Sequence, residues 1–495
     1  MAPSQSLQAA LSSVQEAFVK QNPQSNQAHK EACRYFPGGN TRSVLYTTPF
    51  PLSFQSGHGS TLTSVDGDTY TDFLGEYSAG IFGHSNPQIA EALAGVLSRG
   101  WNFGGVNSHE AILARKVCER FNLDMVRFTN SGTEANMMAL AAALAFSARK
   151  HPGCPEPKSI VVFSNAYHGS TLSFPNTLVD EIRRGHDVSH LTPNLPHNFL
   201  IAPWNNPAET TELLATRPRG SIAAILVEPL QGAGGCRPAS AQFLKTLRAL
   251  ADQKSALLIV DEVMTSRLAP GGLAQEWALR PDLITLGKWI GGGMSFGAFG
   301  GRRDVLQLFD PRTTKVPLGH AGTFNNNVLS MAAGCAGLDV YSAQRVARLN
   351  ELGSTLKARL HALLADASLC EPPANRTDND DDDDDDDDYA QRYPLETDSN
   401  SDSNDVPPTP PPGRMYISGY GSVLSIRFSG PDATTCHQLF FHHMLEEKIY
   451  LAARGYMALS LELSRADIEH FIAAVQRFVT KNFTRPQSPL VDGSK

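Results

Sequence analysis

From about residue 120 to 330, short apolar runs of strand length alternate with longer stretches whose apolar residues recur at helical spacing. In order they are MVRF (125–128), ANMMALAAALAFSARK (135–150), SIVVF (159–163), SIAAILVEP (221–229), AQFLKTLRALADQ (241–253), ALLIVDEV (256–263) and LITLGK (283–288). Runs of apolar, mostly β-branched or Leu residues without polar alternation read as strands buried on both faces. Their alternation with helices predicts βαβ units, that is, an α/β fold with a mainly parallel sheet and helices on both sides. Residues 30–100 differ, with turn signals at Pro37-Gly38-Gly39, Asp66-Gly67 and Asn86-Pro87, and predict an antiparallel piece leading into the large domain. Near the C-terminus, GSVLSIRF, QLFFHHMLEEKIYL and the amphipathic DIEHFIAAVQRFVTKNF predict a small α+β domain. The boundaries read this way are an N-terminal segment 1–100, a large domain 101–340, and a small domain made of 341–370 and 414–495.

Composition changes this picture at one place. The formal net charge is −8, but residues 371–413 hold fifteen Asp/Glu against two Arg, so this segment alone carries −13 and the rest of the chain about +5. It includes nine consecutive aspartates, Asp380 to Asp388, and ends in PPTPPPG. Self-repulsion and lack of apolar groups leave it nothing to pack, which predicts a disordered surface insertion. Elsewhere 41% hydrophobic content over 495 residues supports a sizeable core. No cluster of Lys/Arg with interleaved aromatics marks a nucleic-acid surface, so nucleic acid is not an expected partner. Seven scattered cysteines, odd in number and without C-x-x-C spacing, fit neither a disulfide framework nor a zinc site and read as reduced thiols. No metal is expected. The first residues lack a basic n-region followed by an apolar h-region, and no run of roughly 18 apolar residues occurs. A soluble cytoplasmic protein without membrane contact is predicted.

Four of the strand-like runs end in polar groups: Asn130-Ser131 after MVRFT, Glu228 after AAILV, Asp261 after LLIV, and Lys288 after LITLG. In an open α/β sheet, ligands bind outside the carboxyl ends of the strands, so these groups can converge on one cleft. Asn130-Ser131-Gly132-Thr133-Glu134 passes straight from strand to helix, where free N–H groups and the helix dipole attract phosphate. Ser131 to Glu134 is equally an S-x-x-E capping box, and both readings stay open. A carboxylate at the buried strand end of Asp261 needs a cationic or hydrogen-bonding partner. A protonated pyridine nitrogen is one such partner, and a structural ion pair is another. Lys288 precedes Trp289-Ile290-Gly291-Gly292-Gly293, so its amine can approach a ring aldehyde and form a Schiff base. A Walker-type phosphate loop is excluded, since Gly287-Lys288 lacks the preceding glycine pattern and the following Ser/Thr. Tyr167 in Tyr167-His168-Gly169 offers an aromatic face for stacking. Together these are the parts that pyridoxal 5′-phosphate requires.

The ordered set NSGTEAN, AYHG, VEP, IVDEVMTSR, TLGKWIGGG and GTFNNN resembles the class III pyridoxal-phosphate aminotransferases of fold type I, over roughly residues 30–370 and 414–480. PGGNTRSVL, LGEYSAGIFGHS and MSFGAFGGRRDVLQLFDPR resemble the β-phenylalanine (β-amino acid) aminotransferases within the branch that also holds glutamate-1-semialdehyde aminomutase. The resemblance implies that Lys288 forms the internal aldimine and carries protons, and that Asp261 pairs with the pyridinium nitrogen. Val263 and Tyr167 would then face the two sides of the ring, while Ser131, Gly132 and Thr133 hold the phosphate. Thr323 of Gly322-Thr323 would reach the phosphate of a neighbouring subunit, which implies a homodimer. Glu228 lies near the cofactor or caps its strand. Arg42 and Arg454 occupy positions of carboxylate-binding arginines, a role suited to the planar guanidinium fork. The implied reaction is ping-pong transfer of an amino group from an amino acid, such as β-phenylalanine, to a 2-oxo acid such as 2-oxoglutarate. The competing readings are an aminomutase, a decarboxylase or racemase, and a non-catalytic interaction protein on the same fold.

Overall fold

The computed structural model describes residues 5–154, 156, 158–170, 197–313, 315–370 and 415–483. The acidic segment expected to be a disordered insertion lies outside the described residues.

Seven strands form the central sheet: β4 (Met125–Thr129), β5 (Ser159–Phe163), β6 (Asn198–Ala202), β7 (Ile222–Val227), β10 (Leu257–Asp261), β11 (Leu283–Gly287) and β12 (Gly297–Gly301), in the order β4-β12-β11-β10-β7-β5-β6. All run parallel except β12, which pairs antiparallel with both β11 and β4. The predicted mainly parallel sheet is therefore present, with one reversed strand. That strand, GAFGG, has three glycines and no β-branched residue, so its pairing comes from its neighbours rather than its propensity.

Both faces of the sheet are covered, as its uniform hydrophobicity demands. On one face Ile259, Leu226, Ile160, Val162 and Phe299 meet Ala135, Ala139, Leu140, Ala142 and Ala143 of the helix Gly132–Lys150. The alanine side chains let this helix lie close to the strands. On the other face the alternate residues Leu258, Val260, Ile225, Val227, Val161 and Phe163 join Phe243, Leu244 and Leu247 of the helix Ala241–Lys254. Adjacent residues of one strand thus enter opposite cores, following the two-residue period of the pleat.

The antiparallel piece read near the N-terminus is β1 (Phe54–His58), β2 (Thr61–Ser64) and β3 (Thr69–Asp72); β15 (Ile449–Tyr450) adds in parallel to β3. A three-stranded antiparallel sheet, β13 (Met415–Tyr420), β14 (Val423–Phe428) and β16 (Tyr456–Ala458), packs with the helices Ala343–Asp366 and Ala433–Glu446 as the smaller α+β part. The hairpin of β8 (Leu230–Gln231) and β9 (Arg237–Pro238) completes the strands. Among the described residues no helix is long and apolar enough to cross a membrane.

Candidate active site

Because β4, β11, β10 and β7 run the same way, their carboxyl ends carry Asn130-Ser131, Lys288, Asp261 and Glu228 to one edge of the sheet. The edge is tightly built. A Cβ placed on Gly132 would sit 2.7 Å from both methyl groups of Val263, so the start of the helix Gly132–Lys150 rests directly on that side chain. Ser131 caps this helix, accepting from the Glu134 N–H at 3.2 Å, and the Glu134 carboxylate accepts from the Asn130 N–H at 2.9 Å. The Ser131 side of the capping box is thus formed, while Glu134 reaches back to Asn130 rather than to the Ser131 N–H. Gly132 and Thr133 lie just past the cap, where the first N–H groups of a helix have no intrahelical acceptor.

Asp261 is 4% exposed and well compensated. Its Oδ2 accepts from Asn136 Nδ2 at 2.7 Å and lies 2.8 Å from His168 Nδ1, while Oδ1 accepts from the Val263 N–H at 3.0 Å. Asn136 also donates to the His168 carbonyl (3.1 Å) and accepts from the Thr285 hydroxyl (2.6 Å). Glu228, 6% exposed, accepts from the backbone N–H groups of Tyr167 (2.8 Å) and Gly232 (3.2 Å). Burial pushes its carboxyl up to about 7. Glu228 is therefore the group that fixes the backbone of Tyr167, whose ring remains half-exposed.

Lys288 has a left-handed backbone (φ +55°), and its Nζ donates to the Tyr77 carbonyl at 2.7 Å and the Ser78 hydroxyl at 3.1 Å. Burial pulls its amine down to about 8, against the opposing pull of Asp261 and Glu228. An amine of lowered basicity gives up its proton more readily than an ordinary lysine, which favours Schiff-base chemistry. Both candidate arginines reach the same region. The guanidinium carbons of Arg42 and Arg454 lie 5.5 and 5.8 Å from the ring centre of Tyr77. Arg42 also pairs with Glu76 through Nη1 and Oε1 at 2.5 Å. Burial raises the Tyr167 phenol, and Arg454 and Arg42 oppose that shift, so their fields extend across the site.

Thr323 lies on an exposed loop. That loop is tied to the strand end of the same chain, where Asn130 Nδ2 donates to Asn325 Oδ1 at 2.9 Å. Sequence reasoning missed Asn136, His168 and Thr285 as supports of Asp261, and Glu76 to Ser78 as the turn that meets Lys288 and Arg42. A polar Asn136 inside an alanine-rich helix was the available signal for the first. Among the described residues no group of three or more His, Cys, Asp or Glu side chains is arranged to hold a metal ion.

The residues present fit pyridoxal 5′-phosphate. A helix start suits its phosphate, a rigidly held buried carboxylate suits a ring N–H, an accessible aromatic face suits the ring, and an amine of depressed basicity suits the aldehyde. Residues 45–371 match the family model described as aminotransferase class-III. The chain is 42% identical to the β-phenylalanine transaminase of Variovorax paradoxus over 95% of its own length and 96% of that protein. It is 36% identical to the glutamate-1-semialdehyde 2,1-aminomutase of Methanothermobacter thermautotrophicus, over 70% and 80% of the two chains. The crystal structure of the β-phenylalanine aminotransferase from Variovorax paradoxus superposes with a TM-score of 0.79, covering 96% of this chain and 98% of that one. An ω-transaminase from Sphaerobacter thermophilus, 27% identical, gives 0.77 over 93% and 99%. The chain belongs to the class III aminotransferases, enzymes of fold type I that work with pyridoxal 5′-phosphate.

Proposed function

We propose that the enzyme transfers the amino group of a β-amino acid, such as β-phenylalanine, to a 2-oxo acid such as 2-oxoglutarate in a ping-pong reaction. The observation that carries this reading is the placement of two arginines, Arg42 and Arg454, on one aromatic residue, Tyr77, whose carbonyl accepts from the Lys288 amine. Tyr77 thus joins both guanidinium groups, each suited to bind a carboxylate, to the turn that meets the reacting amine. The similarity to a β-phenylalanine transaminase over nearly the whole chain supports the same substrate class.

The cofactor supplies an electron sink for the carbon that loses its proton. In this reading Lys288 is the residue that would hold the cofactor, and its Nζ, when free, would carry the proton. Its basicity, drawn down to about 8 by burial, suits a group that must both accept and return a proton. Asp261, held by Asn136, His168 and the Val263 N–H, would keep a bound ring nitrogen protonated. Val263 and Tyr167 would flank the ring, with Glu228 fixing the backbone of Tyr167. Ser131, Gly132 and Thr133 would hold the phosphate. Arg42 takes the carboxylate of the donor, and Arg454 is the second carboxylate site.

The reading includes a homodimer in which Thr323 reaches the phosphate held by the partner subunit. Support comes from the exposed apolar side chains Trp101, Phe103, Val106 and Phe324, which a second copy would cover. All seven cysteines are free thiols, in keeping with the cytoplasm as the compartment. The test is amino transfer itself: the purified enzyme, given each enantiomer of β-phenylalanine with 2-oxoglutarate, should form glutamate. No glutamate, together with turnover of glutamate-1-semialdehyde alone, would replace this reading by the aminomutase one.

A further inference from the structure

The arginine assigned to the substrate already carries a carboxylate from its own chain. Residues 75–78 pass through the left-handed region in succession: Gly75 (φ +53°), Glu76 (φ +50°, ψ +41°), Tyr77 (φ +53°, ψ +46°) and Ser78 (φ +76°). Three of these bear a Cβ, which makes the conformation costly, and it persists only because the surroundings hold it. At Gly75 a Cβ would lie 2.2 Å from the Ala458 carbonyl oxygen. The Tyr77 ring stacks on Tyr456 at 5.7 Å, and its hydroxyl donates to the Val44 carbonyl at 3.3 Å. One strained turn therefore makes both sets of contacts: the Tyr77 carbonyl and Ser78 hydroxyl on the Lys288 amine, and the Glu76 carboxylate on Arg42.

The Arg42–Glu76 bond joins one nitrogen to one oxygen at 2.5 Å, with both side chains about half in water. A ligand carboxylate that engages the guanidinium fork through both oxygens makes the better contact, so Glu76 is displaceable. We propose that Glu76 is a built-in competitor for the carboxylate site: it occupies Arg42 in the free enzyme, and a substrate carboxylate binds by displacing it. Glu76 is then a specificity-determining residue that sets a threshold of affinity for the carboxylates Arg42 accepts. The proposal rests on Arg42 as the carboxylate site and adds the group that guards it. It also assigns a purpose to the left-handed turn, which fixes the Glu76 backbone so that the side chain returns to Arg42 when the ligand leaves.

The sign of one measurement decides. The cofactor-loaded enzyme is titrated calorimetrically with 3-phenylpropanoate, a carboxylate lacking the amine and so unable to react. Glu76→Gln and Glu76→Asp, each with an unchanged cofactor absorbance spectrum, should bind it about two- to fivefold tighter than the wild type, the range set by a half-exposed ion pair. Arg42→Ala should bind it weakly, and Arg42→Ala with Glu76→Gln no better than Arg42→Ala alone. If both Glu76 variants bind the probe equally or more weakly while Arg42→Ala still loses it, Glu76 merely positions the arginine and the competitor idea is wrong, although Arg42 keeps its assignment. If Arg42→Ala binds as well as the wild type, Arg42 is not the carboxylate site and both readings fall.

Discussion

Replacing Asn136 tests whether Asp261 is held by a network rather than by isolated contacts. Asn136 is buried among alanines and makes three bonds: to the Asp261 carboxylate (2.7 Å), to the His168 carbonyl (3.1 Å) and from the Thr285 hydroxyl (2.6 Å). A hydrogen bond to a charged group is worth about 1.5–3 kcal/mol and a neutral one about 1 kcal/mol, and a buried group left unpaired adds its own desolvation. Asn136→Ala should therefore cost about 3.5–5 kcal/mol, with Asp261 still held by His168 and the Val263 N–H. Thr285→Val should cost about 1–2 kcal/mol, because it leaves Asn136 Oδ1 without its donor. Once Asn136 is alanine the Thr285 hydroxyl has already lost that partner, so adding Thr285→Val should cost almost nothing. The coupling in the double-mutant cycle is then about 1–2 kcal/mol. Urea unfolding of the cofactor-free protein, followed by circular dichroism, measures it, and a fluorescence titration with pyridoxal 5′-phosphate should show weaker cofactor binding in step. Additivity within about 0.5 kcal/mol would refute the network argument, as would an Asn136→Ala cost below about 1 kcal/mol.

Three further outcomes follow from the same geometry. In the cofactor-free protein, burial holds the Lys288 amine near 8, below its usual 10.5, so between these values the unfolded chain binds the extra proton and stability contributed by Lys288 rises with pH. Lys288→Met should be the more stable protein at pH 7, and its advantage should shrink as urea midpoints are compared from pH 8 to 10.5; an advantage constant over that window rejects the shift. Gly132→Ala would press a Cβ onto both Val263 methyls at 2.7 Å, which should weaken cofactor affinity at least tenfold in the wild type but far less when added to Val263→Ala; an equal fold-loss in both backgrounds means the contact is not the cause. Arg42→Ala should raise the KM of the donor roughly ten- to a hundredfold, the loss of one charged hydrogen-bonding partner, with kcat and the cofactor spectrum far less affected, and a fall confined to kcat would contradict a binding role.

What could be read from the sequence divides along a physical line. The strands β5, β7, β10 and β11 were legible because burial on both faces demands uninterrupted apolar runs, and the chemical groups were legible because they stand where those runs stop. Lys288, Asp261, Glu228 and Ser131 all declare themselves in this way. β12 was not legible, since GAFGG has no propensity of its own and is recruited by the free edges of β4 and β11. The supports of the site were hidden for a related reason. Thr285 and Asn136 are separated by 149 residues, so although Asn136 stands out in its alanine-rich helix, nothing local names its partner.

The left-handed turn Gly75–Ser78 marks the sharper limit. Glycine at 75 is a signal, but Glu76, Tyr77 and Ser78 are not residues that local preference would place at positive φ. Their conformation is imposed by tertiary contacts, through Tyr456, Val44, Ala458 and Lys288. The family resemblance therefore finds the arginine, and misses the carboxylate seated on it, because that belongs to a backbone state. The same turn presses its carbonyl on the Lys288 amine and its glutamate on Arg42. Lengthening the turn by one glycine should uncouple the two contacts: carboxylate binding should survive while the Lys288 amine, deprived of the Tyr77 carbonyl, loses its fixed position. Mixing the cofactor-free variant with pyridoxal 5′-phosphate would then show slower appearance of the bound-cofactor absorbance, at unchanged affinity of the loaded variant for 3-phenylpropanoate, and equal losses in both would mean that the turn is only a scaffold.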